Sequence, residues 1–146
     1  MSEFTDVLLV SPMPDGRTWA IWKEFTYHVG QLNSGETITV PLGFRTDFAS
    51  VPPIFRFLVP RWGKYGKAAI VHDFCYWKQQ YPRERADEIF REAMGVSEVA
   101  RWRIFVMYRA VRLFGGRSWR GNQKLQEQGY NRVLPLPEKA ADTRRW

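Results

Sequence analysis

An α+β fold is expected, with a small antiparallel sheet in the N-terminal half packed against a three-helix C-terminal half. Three observations predict it. Apolar and polar residues alternate between residues 18 and 42, the period of a half-buried strand. From residue 67 the apolar spacing lengthens to the three-and-four pattern of helices. Between the two regimes runs a connection punctuated by Pro52, Pro53 and Pro60. Strands followed by helices, instead of alternating with them, point to α+β and away from a parallel α/β sheet.

Residues 7–10 form a short apolar run closed by the turn cluster Ser11-Pro12-Met13-Pro14-Asp15-Gly16. Residues 18–29 read as one strand, in which Ile21, Lys23, Phe25 and Tyr27 alternate with Trp22, Glu24, Thr26 and His28. Residues 36–42 read as a second, with Ile38, Val40 and Leu42 on one face, and hairpins joining such strands give an antiparallel sheet. The apolar segment 54–59 reads as one helical turn or a docking loop. Helices are expected over 67–80, 83–94 and 98–114. Pro82 suits the start of the second, Gly95 its stop, Ser97 the N-cap of the third and Gly115-Gly116 its end. Residues 1–121 are thus expected to form one domain, and the polar, proline-containing stretch 122–146 an extended tail.

The chain has 146 residues, 45% of them hydrophobic and 16% aromatic, enough for a core without staples and unlike a disordered composition. The 22 Lys+Arg against 15 Asp+Glu give a formal charge of +7, which favours an anionic partner. A lone cysteine, Cys75, excludes an intrachain disulfide and reads as a small buried apolar side chain. The N-terminal Met1-Ser2-Glu3-Phe4-Thr5-Asp6 is acidic, so a signal peptide is not expected. No apolar run reaches the roughly 20 residues of a membrane span.

The chemistry gathers in Ala68-Ala69-Ile70-Val71-His72-Asp73-Phe74-Cys75-Tyr76 and in Ala86-Asp87-Glu88-Ile89-Phe90. Residues four apart share a helix face, so His72 and Tyr76 should lie together. If the next helix folds back antiparallel, Asp87 reaches the His72 imidazole. An imidazole oriented by a buried carboxylate can act as a general base toward water. Asp73 is placed to hold a metal near that water. Upstream, Asp47 is flanked by Thr46 and Ser50, whose hydroxyls suit a buried carboxylate or a capped turn. The competing reading makes all of these a polar cluster that pins the helices together.

Thr46-Asp47-Phe48-Ala49-Ser50-Val51-Pro52, then His72-Asp73-x-x-Tyr76, then Ala86-Asp87-x-x-Phe90 resemble a family of small phage and prophage proteins, the domain of unknown function 1353. That resemblance runs from about Gly43 to Phe114 and implies a phage setting. The His-Asp-x-Cys-Tyr stretch also resembles the signature of secreted phospholipases A2, and the fuller stretch, with paired alanines before it and Ala-Asp-x-x-Phe after it, is similar to the phospholipase A2 domain of parvovirus capsids. This second resemblance implies His72 as base, Tyr76 and Asp87 as the pair that orients it, Asp73 as calcium ligand, and calcium as the cofactor. The stretch where a Gly-rich calcium loop belongs, residues 46–53, contains no glycine. Either Asp47 replaces the loop carbonyls as a ligand or the calcium site is absent.

On the third helix Arg101, Arg109 and Arg112 fall within a sector of roughly 80° at about 100° per residue. They read as a basic edge for phosphate groups or a partner protein. No nucleic-acid fold signature is present, and nucleic acid is not the expected partner. The expected protein is a phage virion or tail-assembly component carrying a phospholipase-A2-like site, active or relict. The alternative is a phage-encoded metal-dependent hydrolase acting on the host envelope, on phospholipid ester before peptidoglycan, during entry or lysis. Its partners are then other phage structural proteins or an anionic envelope surface, and its location the virion or the host cytoplasm.

Overall fold

A computed structural model describes residues 3–4, 8–30, 35–47 and 65–135. Ser50, the segment 54–59 and the end of the expected tail, 136–146, lie outside the described residues. The chain order is β1 (Glu3–Phe4), β2 (Val10–Pro12), β3 (Trp19–Ile21), β4 (Phe25–His28), β5 (Thr37–Val40), β6 (Arg45–Thr46), α1 (Gly66–Lys78), α2 (Arg83–Val96) and α3 (Arg101–Glu127). The class is α+β, with antiparallel strands in the first half and three helices in the second.

The strands form two three-stranded sheets, β1-β4-β5 and β2-β3-β6, instead of one. The expected strand over 18–29 is split between them. Ile21 pairs with Val10 in one sheet and Phe25 with Val40 in the other. An unbroken strand would aim Lys23 at the core face shared by Ile21, Phe25 and Tyr27. The break at 22–24 leaves Lys23 half-buried while those three are fully buried. In β5, Ile38 and Val40 face the core as the alternation predicts, and Leu42 is half-buried.

Helix α1 is buried almost all round, which explains its lack of a polar face. It ends at Gln79, whose left-handed conformation lets its N–H bond the Cys75 carbonyl. Helix α2 is amphipathic. Its partly buried Glu92 accepts hydrogen bonds from the Tyr27 hydroxyl (2.6 Å) and the Gly30 N–H (2.9 Å), tying the helix to β4 and the turn after it. It runs through Gly95, and Ser97 closes it by donating its N–H to the Ala93 carbonyl. Ser97 is therefore the end of α2, not the N-cap of α3, which is Ala100.

Helix α3 does not stop at Gly115-Gly116 but continues to Glu127. Packing, not termination, explains the glycine. A Cβ at Gly115 would collide with the Tyr76 hydroxyl and crowd the Arg83 guanidinium. Beyond the helix the chain turns back instead of trailing away. Val133 bridges Phe44, Arg45 donates its N–H to the Arg132 carbonyl, and Leu134 donates to Gly43. Gly43 has φ +88°, and any side chain there would strike the Leu134 carbonyl, so only glycine allows this closure. The part of 122–146 that is described is thus helix followed by a strand-like return.

Candidate active site

The largely buried α1 carries His72 and Asp73 side by side and Tyr76 one turn on, and α2 returns against it with Asp87 facing inward. Asp87 is completely buried. Its Oδ1 lies 2.8 Å from His72 Nε2 and accepts the Tyr76 hydroxyl at 2.7 Å. Its Oδ2 accepts Arg112 Nη1 at 2.7 Å and faces Arg83 Nη1 at 3.6 Å. Burial pushes the Asp87 carboxyl up, but the bonds from His72, Tyr76 and Arg112 outweigh it and hold the group below the usual carboxylate range. Burial and the adjoining Asp87 charge push the Tyr76 phenol well up, so it stays a neutral donor.

An ionised carboxylate can only accept, so the proton of a neutral His72 ring sits on Nε2. The lone pair then belongs to Nδ1, for which no hydrogen-bond partner is present among the described residues. The ring is fixed from its sides as well. Phe90 stacks on it at 4.4 Å between centroids, and Tyr76 lies tilted at 4.2 Å. His72 lines a cavity of about 570 Å³ between α1, α3 and the returning C-terminal segment. Its lining is mixed: Asp73, Arg45, Asn122 and Arg132 are polar, and Met107, Ala110, Val111, Phe114 and Leu125 of α3 are apolar.

Asp73 points into a different set of partners. Arg132 grips it with two hydrogen bonds, Nη1 to Oδ1 at 3.1 Å and Nη2 to Oδ2 at 2.7 Å. Oδ2 also accepts the Thr46 hydroxyl at 2.8 Å and the Asp47 N–H at 3.3 Å. Thr46, expected beside Asp47, thus serves Asp73. The Asp47 side chain is exposed and borders the same cavity. Burial works against the Arg132 charge, and Asp73 more than restores it. The Arg132 guanidinium further donates to the Arg45 carbonyl and lies over the Phe44 ring at 4.9 Å.

In this structure Asp73 is held by Arg132, and residues 48–53 of the segment expected to carry calcium ligands lie outside the described residues. Calcium takes six to eight oxygens, whereas a guanidinium already neutralises Asp73 in bidentate geometry. Among the described residues no group of three His, Cys, Asp or Glu side chains converges. Cys75 is buried, which pushes its thiol up to about 12, so it is no nucleophile at neutral pH.

The structure therefore brings His72, Tyr76 and Asp87 together and sets Asp73 beside them as half of an ion pair. Arg112 joins the Asp87 cluster, while Arg101 and Arg109 stand exposed on α3. Arg83, Asn122 and Arg132 were not singled out from the sequence. Arg83 carried a signal, standing four residues before Asp87 on the same helix face. Arg132 reaches Asp73 across 59 positions, and no local pattern encodes that.

The family profile described as "Protein of unknown function (DUF1353)" matches residues 19–111. That is most of the chain. The chain belongs to the DUF1353 family. The match spans β3 to the middle of α3 and contains His72, Asp73, Tyr76 and Asp87, whereas Arg112 and Arg132 fall after it. No curated protein and no solved structure matches the chain. The family description states no activity, so function has to be argued from the site.

Proposed function

We propose that this protein is a phage virion or tail-assembly component in which the His72 site is an active, water-using esterase directed at a phospholipid-like substrate. The observation that carries the reading is the pairing of an oriented imidazole with a cavity of mixed lining. Asp87 fixes the proton on Nε2, and Nδ1, on a residue that lines the cavity, has no hydrogen-bond partner among the described residues. The apolar side chains of the lining suit an acyl chain and the polar ones its headgroup.

In the reaction His72 Nδ1 takes a proton from water as the oxygen bonds to the ester carbonyl carbon. The carbonyl–alkoxy bond then breaks, and the Nδ1 proton passes to the departing alkoxide. The acid and the alcohol leave, and His72 returns to its neutral form. Asp87 stays ionised throughout and stabilises the imidazolium, while Tyr76, Arg83 and Arg112 keep the carboxylate in place. Arg132 holds the cation's place at Asp73, and the scheme uses no metal.

A second reading has its own support. Asp87 and Asp73 are both paired with arginines from distant parts of the chain, as in a polar cluster that fixes the packing of a virion protein. Fatty-acid release from phosphatidylglycerol vesicles separates the two. Wild type should release fatty acid in calcium and in EDTA alike, and His72→Gln should reduce the rate by at least about a hundredfold, the size of a general-base effect. No release from folded wild type in either condition would leave the structural reading.

A further inference from the structure

The outward face of α3 is unlike the rest of the surface. Trp102, Phe105 and Leu113 are 54, 61 and 74% exposed. At about 100° per residue they fall with Arg109 in one sector of roughly 80°. Arg101 and Arg117 flank that sector, Arg120 falls within it and Lys124 at its margin, and all four are exposed. The only acidic residue of this helix is its last, Glu127. Arg109 lies over the Phe105 ring at 5.3 Å and Arg103 over the Trp102 ring at 5.2 Å. Of the cations on this face, Arg109 is thus held against an aromatic ring, and no acidic residue precedes Glu127 on the helix to balance them.

A helix face with Trp, Phe and Leu at its centre and cations along its margins suits the boundary between lipid headgroups and acyl chains. A phosphate-tracking nucleic-acid surface has use for the cations and the aromatic rings. It has none for an aliphatic residue as exposed as Leu113. Position adds a further argument. A shallow hollow lined by Leu113, Phe114, Gly116, Arg117 and Arg120 adjoins this face, and Phe114 also lines the His72 cavity. Phe114 is therefore the lip between the outer face and the site.

We propose that the outer face of α3 seats the protein on an anionic lipid bilayer, with the mouth of the His72 cavity beside the plane of contact. The proposal deepens the esterase reading by naming where its substrate surface docks. The docking itself is measured without hydrolysis.

The experiment is co-sedimentation of the full chain, carrying His72→Gln so that no lipid is consumed, with vesicles of phosphatidylcholine alone or mixed with phosphatidylglycerol. Binding should require the anionic lipid and weaken with salt. Arg109→Glu with Arg117→Glu should lower the partition coefficient by more than tenfold, since each surface cation accounts for roughly fivefold. Leu113→Gln, on a side chain that is mostly exposed, should lower it several-fold with the fold intact by circular dichroism. Absence of binding to anionic vesicles would overturn the proposal. So would unchanged binding by Leu113→Gln, because the contact would then be purely electrostatic and open to duplex DNA as a competitor. Docking without fatty-acid release by wild type would leave this proposal standing and remove the esterase.

Discussion

Asp87 is the residue on which most of the site converges, and removing its charge strands several donors together. Asp87→Asn keeps the shape but leaves Arg112 without its carboxylate and loosens the choice of His72 tautomer. Arg112 and Arg83 are each about a quarter exposed, so water recovers part of the loss. The expected cost is about 2–3 kcal/mol, below the range for a fully enclosed pair, read from the urea midpoint. The pH dependence has a definite sign. The folded Asp87 carboxyl is held below its ordinary value, so its stabilisation is complete above about pH 4, the unfolded value, and is lost as pH falls through the folded value. The variant should therefore show a flatter acid limb in stability against pH. His72 and Tyr76 are legible because helical spacing places them together, and Asp87 because an antiparallel return of the next helix brings it to the imidazole. Arg112 was misread as surface because its angle on the helix says nothing of a carboxylate 25 positions earlier.

Glycine in α3 separates two effects that sequence patterns confound. Gly115 is required by close approach, since Tyr76 and Arg83 occupy the space a side chain needs. Gly121 faces nothing within 4 Å. Gly115→Ala should destabilise by about 1–3 kcal/mol through overpacking, and Gly121→Ala should stabilise by about 0.5–1 kcal/mol through helix propensity. Thermal unfolding of the two variants tests the pair, and equal signs would contradict the packing account. The helix interiors were legible from periodicity, but the ends of α2 and α3 were not. Gly115 carries stop chemistry in isolation, but its close approach to Tyr76 and Arg83 is what requires a glycine there, while Ser97 closes α2 instead of opening α3. The split of residues 18–29 between two sheets is not legible in the sequence because alternation continues across the break.

The two sheets and three helices are closed by Arg132, which links the C-terminal return, β6 and α1 through Asp73. Arg132→Ala would leave a nearly buried carboxylate unpaired and cost about 3–5 kcal/mol. Faster proteolysis around residues 129–135 should accompany the shift in urea midpoint. Calcium offers a complementary test. A ligand that binds only the folded state raises Tm, yet wild type should show no calcium-dependent rise, because Arg132 already neutralises Asp73. A rise of several degrees would mean that calcium displaces the guanidinium. The α+β class was readable from the order of the periodic segments. The closure was not, since it depends on pairing between residues far apart in the chain.

That closure has a consequence for how the chain is made. Domains are built from the N-terminus during synthesis, and here the counter-charge for Asp73 follows it by 59 residues. Until Arg132 emerges, Asp73 on α1 lacks its counter-charge, and the Arg45 N–H of β6 lacks its acceptor. The contact that closes this cluster can therefore form only after 59 further residues have been added beyond Asp73.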